Sequence, residues 1–519
     1  MILLLFFAVM IGVGVYCRKS ADSVQGFVLG SRNVGSWLTA FAFGTSYFSA
    51  VIFVGYSGQF GWRFGLASTW IGIGNALIGS LLAWRVLGRR TRLMSQHLGT
   101  ATMPDFFGKR FSSNALKVAA SAIVFVFLIP YTASLYNGLS RLFGMAFGID
   151  YTWCVLAMAV LTGIYVLVGG YMATAINDFI QGLIMLVGIC AVIVAVLKGC
   201  GGFTPAIESL SKVTAETAPN LSGAFTSFFG PCPLELLGVI LLTSLGTWGL
   251  PQMVGKFYAI RDEAAIRKGT FISTMFAIIV AGGCYFLGGF GRLFGDSIEY
   301  TAAGKPIYDS IIPTIVSGLP DLMIGIVIIL VLSASMSTLS SLVLTSGSTL
   351  TLDIIVPASK KLKSEKAQLS CIRLLVVFFI AISSVLAIIQ ARSSVTFIAQ
   401  LMGISWGALA GAFLAPFLYG LYWKKTTKAA VWASFIAGVG IMCACLFCTF
   451  TGKTFISPYF TSPINAGVMA MLLGLIIVPV VSLLSKKCDK ANVDSMFECF
   501  NRRVTVPAST ALTEGTEEN

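Results

Sequence analysis

Residues 333–341 read SASMSTLSS and carry six hydroxyl side chains in nine positions, with no charge among them. They lie inside a long apolar run, IGIVIILVLSASMSTLSSLVLTSGSTLTLDI. On a helix, positions three and four apart share a face. Ala334, Ser337, Thr338, Ser341, Thr345 and Ser348 then run down one side, and Ser333, Ser340 and Thr351 widen the stripe. One or two such hydroxyls would be explained by bonding back to the carbonyl four residues earlier and by close helix packing. This density suits a different chemistry. Neutral hydroxyls, with the backbone carbonyl that is all Ala334 can offer, supply hard oxygens that could hold a monovalent cation such as Na+ and let it go again. A divalent ion would call for carboxylates, and the stripe contains none. A proton relay would call for His, Asp or Glu in the apolar runs, and the single histidine, His97, falls in a loop.

One acid stands apart. The segment GGYMATAINDFIQGLIM places Asp178 near the start of an apolar run, with Gln181 close to one turn on. Asn177 or Asp178 could satisfy free N–H groups at a helix start. Alternatively, Asp178 is a second cation ligand facing the hydroxyl stripe. Two further runs carry break signals. AFGTSYFSAVIFVGYSG has Gly44, Gly55 and Gly58 around the polar patch Thr45, Ser46 and Ser49; LLTSLGTWGLPQM has Gly246, Gly249 and Pro251. A proline removes a backbone donor and clashes with the preceding turn, which frees carbonyls. In lipid, freed backbone groups are tolerated where they line a cavity or face other protein. Either run could be a kinked packing helix or part of a binding site.

The elements that must position these residues follow from composition. Of 519 residues, 56% are hydrophobic and 11% charged, with a mean hydropathy of +0.88. Soluble domains are about 25% charged, and a sphere of this size must show a polar skin. The solvent is therefore lipid. Runs of about 20 apolar residues recur, each long enough to cross a hydrocarbon layer of about 30 Å as a helix, and they lack the alternation of barrel strands. About thirteen spans are expected, near 1–17, 34–57, 66–88, 114–137, 151–170, 176–199, 233–258, 270–294, 321–350, 369–391, 395–420, 429–450 and 465–485. The broken runs are then the second and seventh spans, matching positions of two five-span repeats, 2–6 and 7–11. An odd number of spans per repeat makes the two copies inverted, and interrupted segments at corresponding positions point to a midplane binding site.

Charge distribution fits this count. With the N-terminus outside, about 27 Lys and Arg fall on the inner side and about 8 outside, together the 35 of the chain. The first run carries CRKS at its end rather than a basic stretch ahead of it, unlike a cleavable leader. Residues 1–485 are expected to form one transmembrane domain and 486–519 a disordered cytoplasmic polar tail, the whole a multi-pass protein of the plasma (cell inner) membrane. The net charge of +14 reflects orientation, since no nucleic-acid motif accompanies it. Cys443, Cys445 and Cys448 lie mid-span and read as small packing residues. An enzyme is not expected, because no nucleophile–base pair, metal-ligand set or organic-cofactor motif is present.

GGYMATAINDFIQGLIM and SASMSTLSSLVLTSGSTLTLDI together resemble the two signature regions of the sodium/solute symporter family, which includes proline, sialic acid, galactose, glucose and iodide transporters. GTWGLPQMVGKFYA and SWGALAGAFLAPFLYGLYWKKTTKAAVWASFIAG are most similar to the bacterial proline permease branch. The resemblance covers roughly residues 1–485. It implies an all-α LeuT-type fold with two inverted five-helix repeats, one extra N-terminal and two extra C-terminal helices. It also implies sodium-coupled import of a small organic solute, an amino acid or small carboxylate, by alternating access. An uncoupled facilitator or channel and a transporter-like membrane sensor are the rival readings.

By the same resemblance the main sodium site falls on the backbone carbonyls of Thr45, Phe48 and Ala334 and the side chains of Ser337 and Thr338. A second sodium, bound by some members, would fall on Asp178, Ser340 and Ser341. The solute would lie near Ser46, Ser49, Phe53, Thr247, Trp248 and Gln252, where Trp248 could stack on a ring, act as a gate or simply pack. Sugar transporters of the family carry Gln at the position of Ile52, so sugar is disfavoured. Proline permease carries Asp, Trp and Tyr at the positions of Tyr47, Thr243 and Thr247, which separates this chain from proline transport proper. Besides sodium and solute, the lipid bilayer is the expected partner.

Overall fold

The computed structural model describes residues 2–501 apart from 302–303, 360–361, 392–397, 452 and 455. It is built almost entirely of helices. Ten are long and apolar enough to cross a membrane, or eleven if the bent pair Pro233–Gly249 and Pro251–Ala259 counts as one crossing. Two of the ten are too long for a single passage. Tyr151–Gly199 has 49 residues, about 74 Å at 1.5 Å per residue, more than twice the hydrocarbon layer. It turns at Gly170 (φ 55°, ψ −146°). Val51–His97 likewise turns at Gly65 (φ 62°, ψ −141°). An added Cβ at Gly65 would lie 2.2 Å from the Phe225 carbonyl oxygen, so both conformation and space restrict this position to glycine.

The distribution of polarity is inverted relative to a soluble protein. The helix Asp321–Leu350, here the hydroxyl helix, is buried on every side over its middle: Ser333, Ser337, Thr338 and Ser340 are all 0% exposed. Outward surfaces carry Leu4, Val160, Val187, Leu374, Ile436 and Ile476. Apolar groups gain nothing by leaving lipid, so small residues and polar contacts hold the centre. The tightest crossing joins Gly61 and Gly288, where a Cβ on Gly61 would meet the Gly288 carbonyl at 2.0 Å and one on Gly288 would meet the Ser57 oxygen at 2.0 Å.

Both predicted interruptions are present, each inside the stretch that its glycine and proline signals bracket. Ser36–Tyr47 stops at Phe48, whose backbone is extended (φ −93°, ψ 103°), and the chain resumes in the wide π-turn Val51–Tyr56 and the helix Ser57–Phe64. In the second broken segment the extended residue is Leu250 (φ −89°, ψ 120°), and the two halves meet at 47°. Pro251 opens the following helix at its first position, where a missing N–H costs nothing. It ends no helix; it starts one.

Connections expected on the same side of the membrane touch one another. On one face Arg32 reaches Ser95 Oγ at 3.1 Å and the Tyr258 carbonyl at 3.2 Å. Arg110 Nε donates to the Gly420 carbonyl at 3.0 Å, and Thr102 Oγ1 to Asp353 Oδ2 at 2.6 Å. On the other, Arg63 pairs with Glu235 and Arg292 Nε donates to the Trp62 carbonyl. The tail departs from expectation. Residues 490–497 form a helix capped by Asp489. Lys424 pairs with Asp494 at 2.6 Å, His97 Nε2 meets the Ser495 carbonyl at 2.9 Å, and buried Phe497 packs 5.0 Å from the Arg110 guanidinium. Polar composition concealed the three apolar anchors, Val493, Met496 and Phe497; residues 502–519 lie outside the described residues.

The Gly61–Gly288 crossing makes a prediction. Gly288→Val should destabilise the protein by about 3 kcal/mol or more, because backbone, not a flexible side chain, blocks the added methyls. Gly282→Ala, six residues away on the same helix and with nothing within 4 Å of its Cβ, should leave thermal unfolding in detergent unchanged.

Candidate cation and solute site

The hydroxyl stripe divides into three groups by what its oxygens do. Ser340, Ser348 and Thr351 bond back along their own helix, to the Ser337, Leu344 and Gly347 carbonyls respectively. They behave as packing residues. Ser337 and Thr338 also touch their own backbone, at Ala334 O (3.2 and 3.1 Å), but reach across to the broken segment as well. Ser337 Oγ lies 3.3 Å and Thr338 Oγ1 3.0 Å from the Thr45 carbonyl oxygen. Four oxygens from five expected ligands thus converge, all with buried residues. The helix break explains the geometry. Thr45 sits three residues before the extended Phe48, so its carbonyl lies in the turn the helix fails to continue. Its own hydroxyl is spent on Phe41 O at 2.9 Å, which leaves the carbonyl as its contribution. Phe48 supplies the break itself.

Ser341 forms the third group and leads to a residue the sequence reading passed over. Its Oγ lies 2.7 Å from Ser46 Oγ and accepts from Lys256 Nζ at 2.9 Å. Lys256 is only 3% exposed. Its ammonium is 3.6 Å from Asp178 Oδ2 and 5.3 Å from the centre of the Tyr171 ring. Asp178 is fully buried, and neither carboxylate oxygen accepts a hydrogen bond among the described residues. Asp178 is therefore not a helix cap, and its counter-charge is the lysine. Of the three residues expected to hold a second ion, Asp178 and Ser341 are brought together around this ammonium, whereas Ser340 turns to its own backbone. The signal was present in GLPQMVGKFYA: a lone cation five residues past Pro251 in an apolar segment is a functional-site candidate by default. It was absorbed into the basic count of the adjacent loop.

The residues expected around the solute separate similarly. Ser49 and Gln252 are buried with side-chain polar atoms that have no hydrogen-bond partner among the described residues, as are Tyr47, Tyr131 and Trp406. The Trp406 ring lies 5.6 Å from that of Tyr47 and stands at 90° to that of Tyr131, 6.0 Å away. These three aromatics were not foreseen; Trp406 within the small-residue stretch GISWGALAGA was the available hint. Ser46 belongs to the Lys256 network, and Phe53 is buried in the π-turn after the break. Thr247 and Trp248 are spent elsewhere. Thr247 Oγ1 donates to Gly79 O at 3.2 Å and Ser244 O at 2.9 Å, and Trp248 Nε1 to Ile78 O at 3.0 Å. Both acceptors across the interface lie in a second π-turn, Asn75–Leu82, where the helical hydrogen-bond pattern is shifted. Trp248 is thereby held against this π-turn.

A narrow cavity of about 40 Å³ leads to this centre. It runs from Ala101–Met103 past Thr345 and Ser348 to Gln252, Lys256 and Ser341. Its lining belongs to one face of the molecule and includes no residue of the opposite face's connections.

Known proteins show the family and the fold. Residues 27–438 match the Sodium:solute symporter family. The osmoregulated proline transporter OpuE of Bacillus subtilis is 28% identical over 494 residues, 94% of this chain and 95% of the relative. A sodium/proline symporter of Staphylococcus aureus is 29% identical over 83% of each chain. Among solved structures, a substrate-bound, outward-open Na+-coupled sialic acid symporter superposes with a TM-score of 0.73 at 17% identity, covering 94% of this chain and 98% of its own. Mhp1, a nucleobase-cation-symport-1 family transporter, reaches 0.50 at 13% identity over 91% and 97%. The fold is the LeuT-type arrangement that the family resemblance implied. By sequence match over most of its length, the chain belongs to the sodium:solute symporter family.

Proposed function

We propose that the protein imports an amino acid or small carboxylate together with sodium, by alternating access, through thirteen crossings of the plasma membrane with the N-terminus outside and the C-terminus in the cytoplasm. The observation that carries the reading is the convergence of the Thr45 and Ala334 carbonyls with Ser337 Oγ and Thr338 Oγ1, within 3.0 to 3.3 Å. Four neutral oxygens suit a monovalent ion that must also leave. Sodium at this position, with Phe48 as a further ligand, draws the hydroxyl helix onto the first broken segment and favours the state that accepts solute from outside. Its release inside loosens that contact. The ion can bias the cycle only by binding the two states unequally, and the membrane potential adds roughly 2.3 kcal/mol per charge per 100 mV. The one-sided cavity favours alternating access over a continuous pore.

The solute occupies the space among Tyr47, Ser49, Tyr131, Gln252 and Trp406, whose unspent polar atoms call for a polar ligand. The proline transporters among the relatives support an amino acid, and the absence of Gln at Ile52 argues against sugar.

Two measurements test this. Ser337→Ala with Thr338→Ala, which removes two contacts, should lower apparent sodium affinity about 100-fold or more. Each lost contact to a charged group is worth about 1.5–3 kcal/mol, and 1.4 kcal/mol is tenfold. Sodium-dependent stabilisation identical to that of the unaltered protein would remove the site. In a thermal-shift screen, an amino acid or small carboxylate should stabilise the protein in NaCl but not in KCl, and Gln252→Ala should abolish the effect. Stabilisation by a sugar alone would overturn the solute class.

A further inference from the structure

The arrangement around Asp178 does not fit a second sodium ion. Lys256 Nζ already stands between Ser341 Oγ (2.9 Å) and Asp178 Oδ2 (3.6 Å), two of the three side chains expected to hold such an ion, while the third, Ser340, bonds to its own helix. The Tyr171 ring closes the ammonium from a third direction at 5.3 Å. A metal ion held by the same carboxylate and hydroxyl would be in contact with the ammonium, two positive charges sharing one counter-charge in a medium that screens poorly. We infer that this chain fills its second cation position permanently with the tethered Lys256 ammonium, so that one sodium ion, not two, binds per cycle. The inference rests on the sodium-coupled reading above and deepens it.

Three further features support the assignment. Lys256 and Asp178 have side chains 4% and 0% exposed, so each is the other's nearest counter-charge in a buried setting. The carboxylate has no other partner among the described residues, so the pair is isolated, not one link in a surface network. Lys256 belongs to the second broken segment, between Pro251 and Ala259, whereas Ser341 belongs to the hydroxyl helix. The ammonium thus joins the two elements from inside, as the main sodium joins the hydroxyl helix to the first broken segment.

Removing the tethered cation should reopen the position. The test counts radiolabelled sodium bound to purified full-length protein and follows thermal unfolding in NaCl against choline chloride. The unaltered protein should bind one ion with a Hill coefficient of about one. Lys256→Ala should gain an ion, bind with a steeper sodium dependence, and become more strongly stabilised by NaCl than the parent. Lys256→Arg should keep the parent count. Adding Asp178→Asn to Lys256→Ala should abolish the gained ion and the extra sodium stabilisation. Two ions on the unaltered protein, one of them lost in Asp178→Asn, would overturn the inference, and so would a Lys256→Ala count equal to that of the parent. If Lys256→Ala fails to fold, the parent and Asp178→Asn counts still decide. Failure of the Ser337→Ala, Thr338→Ala pair to remove the parent's ion would count against the proposed function. It leaves the difference between parent and Lys256→Ala untouched.

Discussion

A backbone carbonyl released from its helix inside a lipid layer must find a partner, because water is not there to provide one. This constraint organises the centre of the molecule. Ser36–Tyr47 stops at Phe48, and the Thr45 carbonyl is answered by two hydroxyls from another helix, Ser337 and Thr338. The hydroxyl helix can serve this way only if buried all round, which accounts for its lack of an apolar stripe and for the lipid-facing role of its neighbours. The same oxygens are suited to a cargo ion because they are satisfied without it. Hydroxyl protons bridge to the Thr45 and Ala334 carbonyls, so departure of a cation leaves no orphaned acceptor behind. A carboxylate cage would offer no such alternative, and the ion would leave a bare charge.

Electrostatics sets a second condition. Ser341 is one helical turn from Ser337 and Thr338, a spacing of about 5–6 Å. An unpaired ammonium there would oppose a sodium ion at the main position by about 3 kcal/mol at an effective dielectric near 20, around a hundredfold in affinity. Asp178 offsets most of that. The Lys256–Asp178 pair is neutral as a unit, so the main position can bind a cation beside it. Removing one member alone leaves an uncompensated buried charge, a far larger penalty than the pair itself imposes.

The outline of this centre was legible in the sequence for a physical reason. Hydroxyls are rare in lipid-facing helices, so their density at 333–341 located a buried polar interface, and period alone placed Ala334, Ser337 and Thr338 on one face. The interruptions were legible as regions but not as residues. Glycine and proline bracket the stretches where the chain bends, and the bends fall at Phe48 and at Leu250, which Pro251 keeps out of the helical region as the residue before it. The hydrogen bonds of Thr247 and Trp248 to Gly79 and Ile78 could not be read from the sequence, because the π-turn that presents those carbonyls leaves no sequence signature. Lys256 was missed because a cation near the end of a span is ordinarily drawn to the membrane surface. Only the fold shows that the second broken segment turns this one inward to Asp178. The helix 490–497 was hidden by polar composition, since its docking depends on three apolar residues and the face that receives them.

The two broken segments are fastened to the hydroxyl helix in different ways, and the difference bears on coupling. The first is joined at Thr45 through Ser337 and Thr338, where the proposed sodium binds and leaves. The second is joined at Lys256 through Ser341, by a cation that cannot leave because it is part of the chain. Ser46 bonds to Ser341, so the fixed fastening also touches the first segment one residue beyond the removable one. A helix held on both sides by exchangeable ions could loosen on either. Here, one side stays anchored, and the arrival or departure of a single ion decides whether the other closes. Coupling one ion to one conformational step then requires no second switch, because the charge that might have supplied one is built into the backbone's own span.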